Sequence, residues 1–305
     1  MNTHVQPFGM HEIRAGLTPA ALVTASYAPD FERCRLLCET IDAHVSGVAQ
    51  HYILVAHHDV ALFRQLAGPR RTVVDERDLL PRWLYSLPDP TRLFRKRMWL
   101  STRTQPLRGW HVQQFRRIAL AEMISEDALI YVDSDVAFVR DFDCRAMWRD
   151  GTLPLFRRDG ALAGDAKPEH LTWSRNAAAA LGITPALPSP HDYIVTLIAW
   201  RRETIRAMCA RIEAVHGRHW VEVLGAQRQF SECTIYGRFV DEVEGLSHHR
   251  HSAKELCRVY WDGPELSAGE VQDFIAGLAP HQVAIGIQSF TGTDINGIRA
   301  TLGLR

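Results

Sequence analysis

Lysine is almost missing from this chain: Lys96, Lys167 and Lys254 are the only three among 35 basic residues, and arginine supplies the rest. An equal number of acidic residues brings the formal net charge to zero, so nothing in the global balance points to nucleic acid. No stretch approaches the ~20 apolar residues needed to span a bilayer. Met1–Leu17 has no basic segment followed by a long apolar run, so it does not read as a secretory signal. The six cysteines (Cys34, Cys38, Cys144, Cys209, Cys233, Cys257) form neither a C-x-x-C nor a zinc-ligand spacing. Cys34 and Cys38 stand one helical turn apart and read as core residues, and a reducing cytoplasmic compartment is the default expectation. Internal repeats and low-complexity segments are absent. What is present is an ordinary globular composition, 46% hydrophobic and 23% charged, with a substantial core for one large α/β domain or two smaller ones.

The most informative segment is an apolar strand, Ala128-Leu129-Ile130-Tyr131-Val132, that runs straight into Asp133-Ser134-Asp135. Residues two apart on an extended chain share a face, so both carboxylates can point into one site. The carboxyl end of a strand is where open α/β sheets bind ligands. Two such charges repel unless a cation lies between them, and Mg²⁺ or Mn²⁺ held by carboxylates and substrate phosphates is the usual solution. The bland alternative is a strand ending in a polar turn.

Around this segment the pattern alternates. Strands are expected at Ala20–Ser26, His51–Ala56, Arg71–Val74 and Ala128–Val132. Helices are expected at Asp30–Val45, Val60–Ala67 and Trp110–Ile124. Helical patterns between short apolar runs imply βαβ units and a parallel sheet. The second half is less regular. It offers strands at Thr152–Phe156, Tyr193–Trp200, Val259–Trp261 and Val283–Ile287, and helices at Glu203–Val215, Ser231–Val243 and Asp294–Leu302.

Upstream of the aspartates the charge is one-sided. Between Pro90 and Ala121 stand Arg92, Arg95, Lys96, Arg97, Arg103, Arg108, Arg116 and Arg117, with no acidic residue. A solvated basic face is one reading. An anionic ligand such as a diphosphate is the other, because the arginine fork donates two hydrogen bonds to phosphate. A peripheral contact with a membrane surface would use the same Arg92–Arg117 stretch.

Several elements in order resemble GT-A glycosyltransferases. They are the strand with its D-x-D, the preceding βαβ units, and the helix start Gly109-Trp110-His111-Val112-Gln113-Gln114. The segments Tyr193–Arg202 and Phe230–Gly237 are similar to those of a bacterial family of uncharacterised glycosyltransferases, and the resemblance runs from Ala20 to Phe290. It implies an α/β, Rossmann-like fold, a mixed and mostly parallel sheet flanked by helices, with an elaborated C-terminal half. Residues 1–305 then form one catalytic domain, with a nucleotide-sugar-binding half over 18–145 and an acceptor-side half over 146–305. The implied reaction moves a sugar from a nucleotide-diphosphate sugar to a hydroxyl of a glycan, lipid-linked or small-molecule acceptor.

The same resemblance implies roles. Asp133 contacts the ribose or donor sugar and shares the Mn²⁺ or Mg²⁺ with Asp135. Gln114 and Arg117, one turn apart, reach the donor, with Gln113 the neighbouring candidate. A late histidine completes the ion's shell in many metal-dependent members; His248, His249, His251 and His281 are candidates, His251 being the one carried forward. Gln288, at the end of a late strand, suits a donor or metal contact. An inverting reaction needs a base for the acceptor hydroxyl, and Glu232, then Asp192, are the candidates. Glu232 reads equally well as a helix N-terminal carboxylate beside the cap Ser231.

Two other functions fit parts of the pattern. A haloacid-dehalogenase-type phosphatase would use Asp133 as nucleophile, but it needs a downstream lysine with an acidic pair, which neither Lys167 nor Lys254 has. A non-catalytic carbohydrate-binding module would use some of the eight tryptophans for stacking.

Overall fold

The computed structural model describes residues 19–93, 96–164 and 167–304; Met1–Leu17 and Arg95 lie outside them. Strand β1 (Ala20–Ala25) is buried along its whole length, as a strand covered on both faces must be. Its side chains alternate between two cores: Ala21, Val23 and Ala25 enter one, Ala20 and Leu22 the other. Helix α1 (Phe31–His44) follows and buries Cys34, Leu37, Cys38 and Ile41, the i, i+3, i+4, i+7 stripe that a helix lays on a sheet. Next come β2 (Gln50–Val55), β3 (Arg71–Asp75), α2 (Gly109–Ala119) and β4 (Ala128–Tyr131). The later elements are β5 (Val136–Phe138), β6 (Leu153–Phe156), α3 (Pro168–Leu181), β7 (Ile198–Arg201), α4 (Arg202–His216) and α5 (Glu232–Phe239). Last are β8 (His249–Ser252), β9 (Cys257–Tyr260) and β10 (Ala284–Ile287).

The central sheet has the order β7-β4-β1-β2-β3. Strands β3, β2, β1 and β4 run parallel, and β7 closes one edge antiparallel to β4. This is a mixed α/β fold with a mostly parallel sheet flanked by helices. The parallel part has the Rossmann-type order, which reverses direction between β1 and β4. Strand β5 leaves that sheet and joins a second one, β9-β10-β5, in which β10 is parallel to β9 and antiparallel to β5. Strands β6 and β8 pair with each other in parallel.

Several expected boundaries move. The apolar run Tyr193–Trp200 becomes a strand only from Ile198, because Leu197 sits at φ +65°, a left-handed conformation that breaks the extended chain. Helix α2 stops at Ala119 and tightens into a 3₁₀ turn at Leu120–Glu122. The helix expected over Ser231–Val243 ends at Phe239 and widens into a π-turn at Val240–Glu244. A small antiparallel sheet (Tyr85–Pro88, Arg97–Leu100, Leu107–Arg108) and the helices at α3 and Ala268–Ala276 are additions to the expected elements, although Pro168 and Gly182 bound the first helix and a Ser267–Glu270 capping box opens the second. All six cysteines are free thiols, and five of them are buried. Among the described residues no helix is long and apolar enough to cross a membrane.

Helix α5 is buried over all eight of its residues, and Gly237 is what lets it close on the loop before β7. A Cβ at Gly237 would stand 2.2 Å from Tyr193 Cδ1. Gly237→Ala should therefore destabilise the fold by about 2 kcal/mol, against the gain expected from alanine's helix propensity. Urea unfolding of the two proteins measures the difference.

Candidate functional site

Asp133-Ser134-Asp135 is the corner between the two sheets. On one side the Val132 N–H donates to Val23 O at 3.0 Å, still in the parallel sheet. On the other the Ile287 N–H donates to Asp135 O at 3.1 Å, already in the second sheet. The turn itself is closed by Val136 N–H to Asp133 O at 3.2 Å. Asp30, in the loop after β1, comes to the same place, with Ser134 Oγ 3.5 Å from its Oδ2. The carboxyl ends of β1 and β4 thus bring three aspartates to the point where the sheet order reverses.

These carboxylates are poorly compensated. Burial, then Asp133, then Asp30 push the Asp135 carboxyl up to about 7, with Arg33 only partly offsetting them. Its Oδ1 is buried and accepts no hydrogen bond. Burial also holds Asp30 above its ordinary range in spite of Arg33 and Ser134. Arg33 itself is anchored elsewhere, donating to Ile287 O at 3.1 Å and Thr293 O at 2.9 Å.

Asp133 faces the cationic side of the site. Arg117 Nη1 lies 2.9 Å from Glu232 Oε1 and 3.8 Å from Asp133 Oδ1. Its guanidinium stacks 4.6 Å over the Tyr131 ring, whose hydroxyl donates to Arg117 O at 2.9 Å. Burial opposes the Arg117 charge, but Glu232 and Asp133 outweigh it and raise its pKa above the ordinary value. Glu232 is pushed up by burial and pulled back by Arg117, the net direction being upward. Gln114 completes the group: its Oε1 accepts from the Glu232 N–H at 2.9 Å, while Ser231 caps α5 through the Thr234 N–H. A helix start, a helix middle and a strand end are thereby locked to one another.

A family model matches residues 11–302; its description is a family of unknown function, DUF6492. The chain belongs to that family. No curated protein matches this DUF6492 member. Among solved structures it is similar to an active-site mutant of LgtC, with a TM-score of 0.42, 12% identity, and coverage of 88% of this chain and 86% of the other.

In this DUF6492 protein, Gln114, Arg117, Asp133, Asp135 and Glu232 converge as a group. Gln288 directly follows the β10 residue bonded to Asp135. Asp192 lies close enough to act on Cys233, the neighbour of Glu232, and is itself engaged: its Oδ2 pairs with Arg158 at 2.6 Å and its Oδ1 accepts from the Ile194 N–H at 3.1 Å. His251 pairs with Asp241 at 2.6 Å, and His249 bonds the Tyr236 hydroxyl at 2.7 Å. Among the described residues no group of three or more His, Cys, Asp and Glu side chains forms a ready metal shell.

The basic stretch divides between separate environments. Arg116 is buried against Glu76 at 2.6 Å, Arg103 pairs with Glu222 at 2.8 Å, and Arg97 bonds Ser86. Among the described residues of the stretch, Arg117 alone meets the aspartates, at Asp133. Asp30 and Arg33 escaped the sequence reading; the signal available was their position just past the first strand of the sheet.

Two measurements probe this arrangement. A carboxyl raised from an ordinary 3.8 to about 7 destabilises the metal-free fold fully above pH 7 and not at all below pH 4. Asp135→Asn should therefore gain about 2 kcal/mol over the parent at pH 8, a gap that closes as the pH is lowered to 4. Thermal unfolding in chelator, recorded across that range, reads it directly. Arg117→Ala leaves Glu232 buried without its partner and should lose about 3 kcal/mol. Adding Glu232→Gln to that variant should restore part of the loss.

Proposed function

We propose that this protein is a divalent-cation-dependent glycosyltransferase that moves a sugar from a nucleoside-diphosphate sugar to a hydroxyl acceptor. One observation carries the reading: a buried, partnerless Asp135 oxygen beside Asp133 and Asp30 at the reversal point of a Rossmann-type sheet. Hard oxygen donors of this kind suit Mg²⁺ or Mn²⁺, with donor phosphates and water completing the shell. Asp135 and Asp133 would hold the ion. When bound, it neutralises charge on the departing nucleoside diphosphate.

The chain's own side chains supply the rest. Arg117 presents a charge fixed by Tyr131 and Glu232 beside Asp133, suited to the donor. Gln114 sets the start of α5 and so the position of Glu232. Glu232, with its raised pKa, serves as base for the acceptor hydroxyl while Arg117 stays beside it. Asp192, with both oxygens engaged, holds the loop that leads into the edge strand.

The deciding experiment is thermal stability against a panel of nucleoside diphosphates and nucleotide sugars, with and without Mn²⁺. One nucleotide should stabilise the parent only with the metal, and Asp135→Ala should abolish that shift and lower donor turnover at least ~100-fold. Full activity in Asp135→Ala would sink the assignment. Because Asp135 must lose a proton to bind the ion, Mn²⁺ affinity should fall by up to ~10-fold per pH unit below about pH 7, measured by calorimetry.

A further inference from the structure

A second concavity, of 560 Å³, lies beside the edge strand and includes none of the aspartates of the corner. Its walls are apolar, with Phe142, Met147, Trp148, Phe156, Leu197 and Leu256 among them. Its polar lining is Arg149, Arg250, Ser252, Lys254, His251 and His281, with no Asp or Glu among the described residues, so its permanent charges are all positive. His251 is paired with Asp241. The arginines and the lysine are not matched by an acid. Arg250 spends its guanidinium on neutral acceptors, the carbonyls of Thr152 and Met147, so its charge persists and its direction is fixed. Arg149 and Lys254 are exposed, and neither side chain has a recorded hydrogen bond or ion pair among the described residues. Burial first, and then the neighbouring Arg149, hold Arg250 below its ordinary range, with Asp150 acting the other way.

Cations gathered over an apolar floor suit one class of ligand. Inorganic phosphate would leave the floor wet, and a hydrocarbon would leave the cations unpaired. We propose that this cavity binds an organic phosphate with an apolar body, its head group on Arg149, Arg250 and Lys254 and its chain or ring along Trp148, Phe156 and Leu197. The place is suggestive. Ile198, which also lines the cavity, is in register with Tyr131, two residues before Asp133, so strand geometry puts the two sites about 8 Å apart in the backbone. A phosphate-bearing amphiphile seated there would be the hydroxyl acceptor or its carrier; that role rests on the transferase reading, whereas the binding does not.

The test uses the full chain and four probes: octyl phosphate and octanoate below their micelle concentrations, octanol below its solubility limit, and inorganic phosphate. Octyl phosphate should raise Tm saturably by about 3–6 °C, and the other three by less than half of that. The double variant Arg149→Glu, Lys254→Glu should abolish the shift, and so should Ala146→Trp, which blocks the cavity from an exposed lining position. Asp135→Asn should leave it intact. Equal shifts with octanoate, octanol or inorganic phosphate, no shift with octyl phosphate, or a shift that survives either cavity variant would each overturn the proposal. If the octyl phosphate shift is present while no nucleotide stabilises the protein with Mn²⁺, the cavity stands and the transferase reading falls; the reverse pattern separates them the other way.

Discussion

The structure turns on a single corner. At Asp133-Ser134-Asp135 the chain leaves a parallel sheet and enters a second sheet within three residues. Main-chain hydrogen bonds to Val23 on one side and Ile287 on the other hold both ends of that turn. The main-chain positions from which the two carboxylates project are therefore fixed. Their mutual repulsion is built into the fold, paid for by the burial of β4 and β5 on either side. An oxygen held buried and unpartnered in this way is the observation on which the proposed cation dependence rests.

The positive side of the site is built by a different device. Arg117, charged at any physiological pH, is held in place by Glu232, and Glu232 sits there because Gln114 and Ser231 fix the first turn of α5. Tyr131, the last residue of the strand leading into the corner, lies beneath the guanidinium. The same strand thus sets the acidic corner and orients its nearest cation. Charge of both signs is arranged before any ligand arrives, which is how polar sites avoid reorganisation during chemistry.

Much of this was legible in the chain. A fully apolar strand is a period-free signal that survives any packing, and β1 and β4 were placed to within a residue or two for that reason. The D-x-D at its end, and Gln114 and Arg117 one turn apart on a helix, followed from local geometry. What failed were features with no local cause. The run Tyr193–Trp200 looked like one strand, yet Leu197 is bent into a left-handed conformation by a fold that needs the chain to turn there. The basic stretch looked like one patch, yet strand alternation and helix rotation sent Arg103, Arg116 and Arg117 to separate partners, Glu222, Glu76 and Glu232.

By itself, then, the sequence determined the alternating α/β plan, the strand that carries the two aspartates, and the absence of any long apolar span, because burial periodicity and residue chemistry are local properties. Only the tertiary structure decided that Asp30 joins Asp133 and Asp135, that Glu232 meets Arg117 across 115 residues of chain, and that three unpaired cations gather over an apolar floor beside the edge strand. Those choices depend on strand order and on which face each helix presents, and no window of sequence contains either.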